Sequence, residues 1–474
     1  MDHQKKPLAE NQNYTIPFTA LTSLFFMWGF ITCMNDILIP HLKELFELSY
    51  LESMLVQFCF FGAYFIGSLI YFVTSFYAGD PINKIGYKNG MLLGLLVSAI
   101  GCFLFYPAAV YSTYSLFLGA LFVLGLGFTL LQITANPYVS LLGSPTGASS
   151  RLNLSQAFNS LGTTIAPIIG GYLIFELFSD NGVLSPDATK IPYIAFTFIF
   201  LIVGAIIYQI KLPSFKSDET EHRDLGALRF PQLKGGIIGI FVYVGAEVCI
   251  GSFIINFLAL EEIMGIPEAV SKNYLALYWG GAMIGRFLGS VSLHPTMAFS
   301  KKVVYMTGIA IAVFLLIFSI VDLSFGEIST FILFIALNLI AFFIGRSAPA
   351  RTLSIFAFVN VLLVIGAIFT GGSTAMWALI AVGLFNSIMW SNIFTLSITG
   401  LGRYTSQGSS LLVMAILGGA IMPLVQGALA DSIGLQQSFI VPAICYVYII
   451  CYGIFCSRLG KVNTEQPAPP TIAH

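Results

Sequence analysis

Fourteen stretches of this chain stay apolar for close to 20 residues or more, about the length of α-helix that crosses the hydrocarbon core of a bilayer. They lie near 17–41, 52–79, 86–108, 114–142, 152–178, 191–211, 235–260, 270–293, 300–321, 327–345, 352–370, 373–399, 408–430 and 437–457. In lipid, backbone N–H and C=O groups must be satisfied within the structure, so segments of this length are helices. The expected fold class is an all-α polytopic membrane protein. Composition agrees, with 57% hydrophobic residues against 9% charged. The net charge of -1 says nothing about a partner, and no basic tract suggests nucleic acid. The five histidines show no metal spacing, and the seven cysteines fall in apolar segments, as small core residues do. There is no phosphate-binding loop and no nucleophile elbow, so an enzyme is not expected.

The polar N-terminus, 1–16, carries Lys5 and Lys6 and precedes an apolar run too long for a signal peptide. Charge placement tests the fourteen spans. With both termini cytoplasmic, 17 of the 21 Lys and Arg residues fall inside and three (Lys43, Lys190, Lys272) outside, while Arg286 lies within a span. Such an excess is the positive-inside pattern. The expected parts are a cytoplasmic tail at 1–16, a bundle at 17–211, a cytoplasmic linker at 212–234, a second bundle at 235–457 and a cytoplasmic tail at 458–474. The expected location is a bacterial inner membrane.

The halves repeat. Leu161, Gly162, Ile165, Pro167, Gly171 and Leu173 match Leu417, Gly418, Ile421, Pro423, Gly427 and Leu429 at an offset of 256. Earlier in each half, Gly62, Ile66 and Gly67 match Gly280, Ile284 and Gly285 at only 218, and Gly29 and Cys33 match Gly245 and Cys249 at 216. The offset grows by 38, about two helices. A six-plus-six arrangement with a helix hairpin inserted at about 297–348 accounts for this. Repeats of this kind place a transport site at their interface near mid-membrane.

Two acids lie deep within apolar runs, Asp36 and Glu247. A carboxylate at a span centre costs about 2.5–3.5 kcal/mol on insertion scales, so such residues mark functional sites. On the repeat alignment Glu247 corresponds to Ile31, five residues before Asp36, or about 7.5 Å of helix rise. The pair is expected at two depths of one cavity, as coupling-ion or substrate groups of a secondary transporter.

Four segments carry a family resemblance: Asn35-Asp36-Ile37-Leu38-Ile39-Pro40, Gln132 to Tyr138 with its Ala135-Asn136-Pro137, Arg151 to Ser160, and Tyr243 to Glu247. They resemble the fucose–galactose–glucose–cation symporter family of the major facilitator superfamily, in its glucose/galactose branch. The loop Gly79 to Lys88 resembles the superfamily's loop motif, with Asn83 and Tyr87 at its acidic and second basic positions. The resemblance implies a major facilitator fold of two six-helix bundles, here with the inserted hairpin, and a monosaccharide moved by alternating access. Asp36 matches the span-one aspartate of the fucose–proton branch, whereas that branch's span-four carboxylate falls at Gln132. The glucose/galactose branch is associated with sodium. The coupling cation is therefore expected to be Na⁺, held by Asp36 with Asn35 and Gln132, and with Glu247 as a further coupling group. No other cofactor is expected, and the chain is expected to act as a monomer in the bilayer.

Sugar recognition needs amides or carboxylates for hydroxyls and an aromatic face for the ring. The candidates are Gln57, Gln132, Asn136, Gln156, Asn159, Glu247, Asn256, Asn386 and Asn392, with Trp279 and Trp390 as platforms. Gln156 and Asn159 stand three apart, on one helix face. The alternatives are a proton-coupled symporter of fucose or N-acetylglucosamine, and a fourteen-span drug–proton antiporter. The antiporter's extra helices lie between the halves, whereas the repeat offset here places them inside the second.

Overall fold

The computed structural model describes residues 15–48, 50–171, 173, 186–213, 226–266 and 268–465. The expected tails and linker fall largely outside these residues, as do some side chains within helices, including those of Asn35, Asp36 and Gln57. Every described element is helical; among the described residues there is no strand.

The first half comprises α1 (Thr15–Leu45), α2 (Tyr50–Ala78), the short α3 (Pro81–Ile85), α4 (Tyr87–Phe103) continued by α5 (Phe105–Val110), α6 (Tyr114–Leu141), α7 (Ala148–Gly171) and α8 (Lys190–Gln209). The second comprises α9 (Pro231–Ala259), α10 (Glu268–Ser292), α11 (Phe299–Phe318), α12 (Phe325–Gly345), α13 (Pro349–Phe369), α14 (Gly372–Asn386), α15 (Met389–Ile398), α16 (Thr405–Met414), α17 (Gly418–Ile433), α18 (Leu435–Ser438) and α19 (Ile440–Glu465). Local signals set the ends. Pro81, Pro231 and Pro349 open helices at positions where a missing N–H is harmless. Ser324 and Glu327 form a reciprocal capping box at the start of α12.

Among the described residues, twelve helical elements are long and apolar enough to cross a membrane. That is two fewer than the fourteen expected from the apolar runs. The two elements that fall short are α7 and α10, which carry Arg151, Asn153, Gln156 and Asn159, and Lys272 and Arg286 respectively. They pack on each other across the halves, and α7 packs most extensively on α1.

The repeat is visible in the packing. The α1–α7 contact recurs as α9–α17, α2–α6 as α10–α14, α4–α6 as α13–α14, and α4–α8 as α13–α19. Its glycines explain the closest approaches. A Cβ on Gly162 would stand 2.2 Å from the Phe26 carbonyl oxygen, and one on Gly418 would stand 2.0 Å from that of Phe241. Any side chain at either position would push the helices apart, as small-residue helix interfaces in membranes require. The remaining pair, α11 and α12, packs mainly on α10, α13 and α14. Lys302, near the start of α11, donates to the Ser292 carbonyl at 2.7 Å and to Ser347 Oγ at 2.6 Å, so both ends of the pair are tied to the end of α10. Asn338 of α12 donates to the Leu384 carbonyl at 3.0 Å.

Hydrogen bonds between the halves gather at the end of the bundle where α1 begins. Ser149 and Thr395 hydroxyls meet at 2.7 Å, Ser150 donates to the Ser290 carbonyl at 2.5 Å, and Asn153 donates to Asn392 Oδ1 at 3.2 Å. On the other flank, Asn83 donates to the Arg403 carbonyl at 3.0 Å and Ser406 donates to Asp80. Asp80 also accepts from the Tyr71 hydroxyl at 2.6 Å and caps α3 through the N–H groups of Ile82 and Asn83. Burial raises the Asp80 carboxyl above its ordinary pKa, and these donors hold it back from rising further.

Candidate functional site

Beyond this seal, a cavity of about 760 Å³ lies between the halves. That volume is within the range of about 300–1,000 Å³ common for small-molecule sites. The first half contributes Trp28 and Thr32 of α1, Phe60, Phe61 and Tyr64 of α2, Gln132 of α6, and Asn159 and Thr163 of α7. The second contributes Val248, Gly251 and Ser252 of α9, Trp279 of α10, and Gly419, Ala420 and Pro423 of α17. Gly251 lets the Trp279 ring lie against α9: a Cβ there would come within 2.9 Å of the indole. Trp279 is 41% exposed, so its face is open.

The amides of the first half form a connected group. Asn136 Nδ2 lies 3.1 Å from the Gln132 carbonyl and 3.4 Å from Gln132 Oε1, and Gln156 Nε2 lies 3.4 Å from Asn136 Oδ1. Gln132 thus fronts the cavity, with Asn136 and Gln156 behind it. Asn159 donates to the Phe25 carbonyl at 3.0 Å, which fixes its amide against α1. An amide held in this way presents both a donor and an acceptor, the pairing a hydroxyl ligand needs.

The second half holds a different network. The Glu247 carboxylate lies 2.9 Å from the Tyr243 hydroxyl and 3.5 Å from the Arg286 guanidinium. Arg286 also donates to the Ser387 carbonyl at 3.2 Å, at the break between α14 and α15, and to Ser160 Oγ of α7 in the other half. Around them, Asn386 donates to the Tyr278 hydroxyl at 2.9 Å and accepts from Asn360 at 2.8 Å and Tyr446 at 2.7 Å. The Tyr278 hydroxyl donates to the Glu247 carbonyl at 3.1 Å.

Of the residues singled out from the sequence, Gln132, Asn159 and Trp279 line the cavity, and Asn136 and Gln156 stand behind it. Glu247 sits next to the lining residue Val248, paired with Arg286. Asn386 lies inside the tyrosine network. Asn392 joins Asn153 in the seal, Trp390 stacks on Phe394 with centroids 5.0 Å apart, and Asn256 is exposed. The side chains of Asn35, Asp36 and Gln57 lie outside the described residues. Sequence reasoning did not single out Trp28, Tyr64 or Arg286 as site residues. For Arg286 a signal was present, since it was the one cation left within a span.

Comparison with known proteins places the chain. Residues 18–416 match the family model of the Major Facilitator Superfamily. A glucose/galactose transporter of Brucella abortus biovar 1 (strain 9-941) is 45% identical over 454 residues, covering 95% of this chain and 96% of the relative. An L-fucose-proton symporter of Escherichia coli (strain K12) is 30% identical over 478 residues, covering 96% of each. A crystal structure of the major facilitator transporter FucP in the outward conformation superposes with a TM-score of 0.75 at 29% identity, covering 94% of this chain and 99% of that one. These relatives are transporters, not enzymes. The chain belongs to the major facilitator superfamily, in the family that its span-one, span-four and span-five segments resemble.

Proposed function

We propose that this chain is a secondary active transporter that takes up a hexose such as glucose or galactose, coupled to Na⁺, by alternating access. The observation that carries this reading is the cavity between the repeats, with fixed amides on one wall and an open indole face on the other. Gln132 and Asn159 meet sugar hydroxyls, Gln156 and Asn136 orient Gln132, and Trp279 takes the apolar face of the ring. The 45% identity with a glucose/galactose transporter supports the substrate class. Na⁺ coupling draws on Asp36, with Asn35 and Gln132 as further oxygen ligands. It is favoured by Gln132, an amide that cannot titrate, where a proton-coupled branch carries an acid. The second reading is H⁺ coupling, which the identity with L-fucose-proton symporters favours.

The cytoplasmic side is the sealed end where α1 begins, and the cavity faces outward. The cation excess at that end and the likeness to an outward transporter structure support this. The polar α7 and α10 also cross the bilayer, screened from lipid by their neighbours, which gives fourteen crossings in bundles at 17–211 and 235–457. The α11–α12 pair is then an inserted hairpin, supported by the repeat that relates the other helices. The protein acts as a monomer in the bacterial inner membrane.

The test is uptake of radiolabelled glucose, galactose and fucose into proteoliposomes, with Na⁺ and pH gradients imposed separately. Accumulation of a hexose driven by Na⁺ alone is the expected result. Accumulation driven by pH alone selects the second reading, and no gradient-driven uptake of any sugar overturns both.

A further inference from the structure

Arg286 occupies an unusual position. It lies seven residues after the cavity-lining Trp279 on α10, about 10 Å along the helix, and so between the cavity and the seal. Its guanidinium reaches Glu247 on α9, the backbone at the α14–α15 break and Ser160 on α7. Both charged side chains are largely buried, at 15% exposure for Arg286 and 13% for Glu247. Ser160 directly follows the cavity residue Asn159. Moving from the seal towards the cavity, the cross-half contacts of α7 run from Ser149, Ser150 and Asn153 through the Phe158–Phe287 ring pair to Ser160, with Thr164 against Met283 beyond. Among these contacts Ser160–Arg286 is the one in which a charged group participates. A guanidinium forks rigidly and donates several hydrogen bonds in one plane, so a change at one partner re-aims the rest.

We propose that Arg286 is a positioning residue that ties closure of the seal to the Glu247 carboxylate. While Glu247 is ionised and paired, it holds the guanidinium so that a remaining N–H points across the interface to Ser160, and the end where α1 begins stays shut. When the Glu247 charge is removed, the guanidinium turns away, the bond to Ser160 is lost and the halves separate more readily at that end. The proposal rests on the alternating-access reading, but not on the identity of the sugar or the coupling ion.

The test measures the distance between nitroxide labels on Asn89→Cys in the first half and Arg351→Cys in the second. Both positions are exposed at the sealed end, and the native cysteines are replaced. Ser160→Ala removes the cross-half partner and leaves the ion pair in place. Glu247→Gln keeps shape and hydrogen bonding but removes charge. Each is expected to raise the ratio of open to closed seal about tenfold, the scale of one charge-assisted hydrogen bond. Glu247→Gln combined with Ser160→Ala is expected to open the seal no further than either alone. Arg286→Lys is expected to recover part of the closed population that Arg286→Gln loses, and sugar affinity in Ser160→Ala should stay within about threefold of wild type while maximal exchange rate falls. Wild-type label distances in both Ser160→Ala and Glu247→Gln, or additive opening in the double variant, would overturn the proposal. The distances are read without sugar, so failed sugar uptake by the wild-type protein counts against the transport reading alone.

Discussion

The two halves share a packing plan and differ in what they place at and beside the cavity. Among the described side chains, the first half brings neutral amides, Gln132 and Asn159, backed by Asn136 and Gln156. The second sets a charged pair, Glu247 and Arg286, among tyrosines beside the cavity lining. Amides recognise hydroxyls and are indifferent to the local potential. An ion pair responds to a nearby charge and, through Arg286, reaches the opposite half. A duplicated scaffold has thus placed recognition chiefly on the first half's wall and a charge-sensitive contact beside the cavity in the second half.

The largest effect should come from breaking the charged side. Glu247→Ala leaves Arg286 without its carboxylate in a largely buried place, and losing one member of such a pair costs about 3–5 kcal/mol. Thermal unfolding in detergent should show a large loss of stability, and the double change Glu247→Ala with Arg286→Ala should lose less than the sum of the singles. If Glu247→Ala is no more harmful than Gln156→Ala, the contrast between the halves fails.

Asp36 decides whether the first half carries a working charge as well. Asp36→Asn should abolish concentrative uptake in proteoliposomes while sugar binding and exchange persist. One coupled charge crossing 100 mV contributes about 2.3 kcal/mol, or roughly fiftyfold accumulation, and that factor should vanish. Wild-type accumulation in this variant would remove coupling from the first half and leave Glu247 as the candidate.

A smaller effect is expected from the amides. Asn159→Ala should weaken sugar affinity by about 0.5–1.5 kcal/mol, or severalfold, through loss of a neutral hydrogen bond to the sugar, and Gln156→Ala should weaken it less, by loosening the Asn136–Gln132 chain. Isothermal titration with folded variants checks this. Unchanged affinity in both would take recognition off the first wall.

These features were not equally legible in the sequence. Apolar runs reveal helices because lipid leaves the backbone few alternatives, and the repeat showed through glycines such as Gly162 and Gly418, where helix contact excludes a side chain. Asn159 could be placed because it shares a helix face with Gln156. Contacts set by distant packing could not. Glu247 and Arg286 are 39 residues apart, and neither shows in sequence that the other is its partner. Asn392 has the amide chemistry of a sugar ligand, yet packing places it in the seal against Asn153, 239 residues away. The polarity of α7 and α10 is likewise a consequence of position: helices that line the interface can carry Arg151 and Arg286 where lipid-facing helices cannot. Trp28 and Tyr64 read as ordinary aromatic residues of apolar spans, and only the arrangement of α1 and α2 brings them to the cavity.

The halves differ also in the pair α11 and α12, and here the smallest effect on transport is expected. The packing partners of the pair are chiefly α10, α13 and α14, and the main cavity has no lining residue from either helix. Its polar attachments are structural, with Lys302 against Ser292 and Ser347 at one end and Asn338 against Leu384 in the body. Lys302 is buried, so removing the pair also removes a cation that satisfies the Ser292 carbonyl. Deleting 297–348 and joining the ends with a short linker should therefore lower thermal stability yet leave ion-coupled sugar uptake measurable. Uptake and melting temperature measured on the same purified deletion variant separate the two effects. A folded variant that binds sugar and no longer transports it would place the pair within the conformational cycle. The difference between the halves would then extend from what they place at and beside the cavity to how they move.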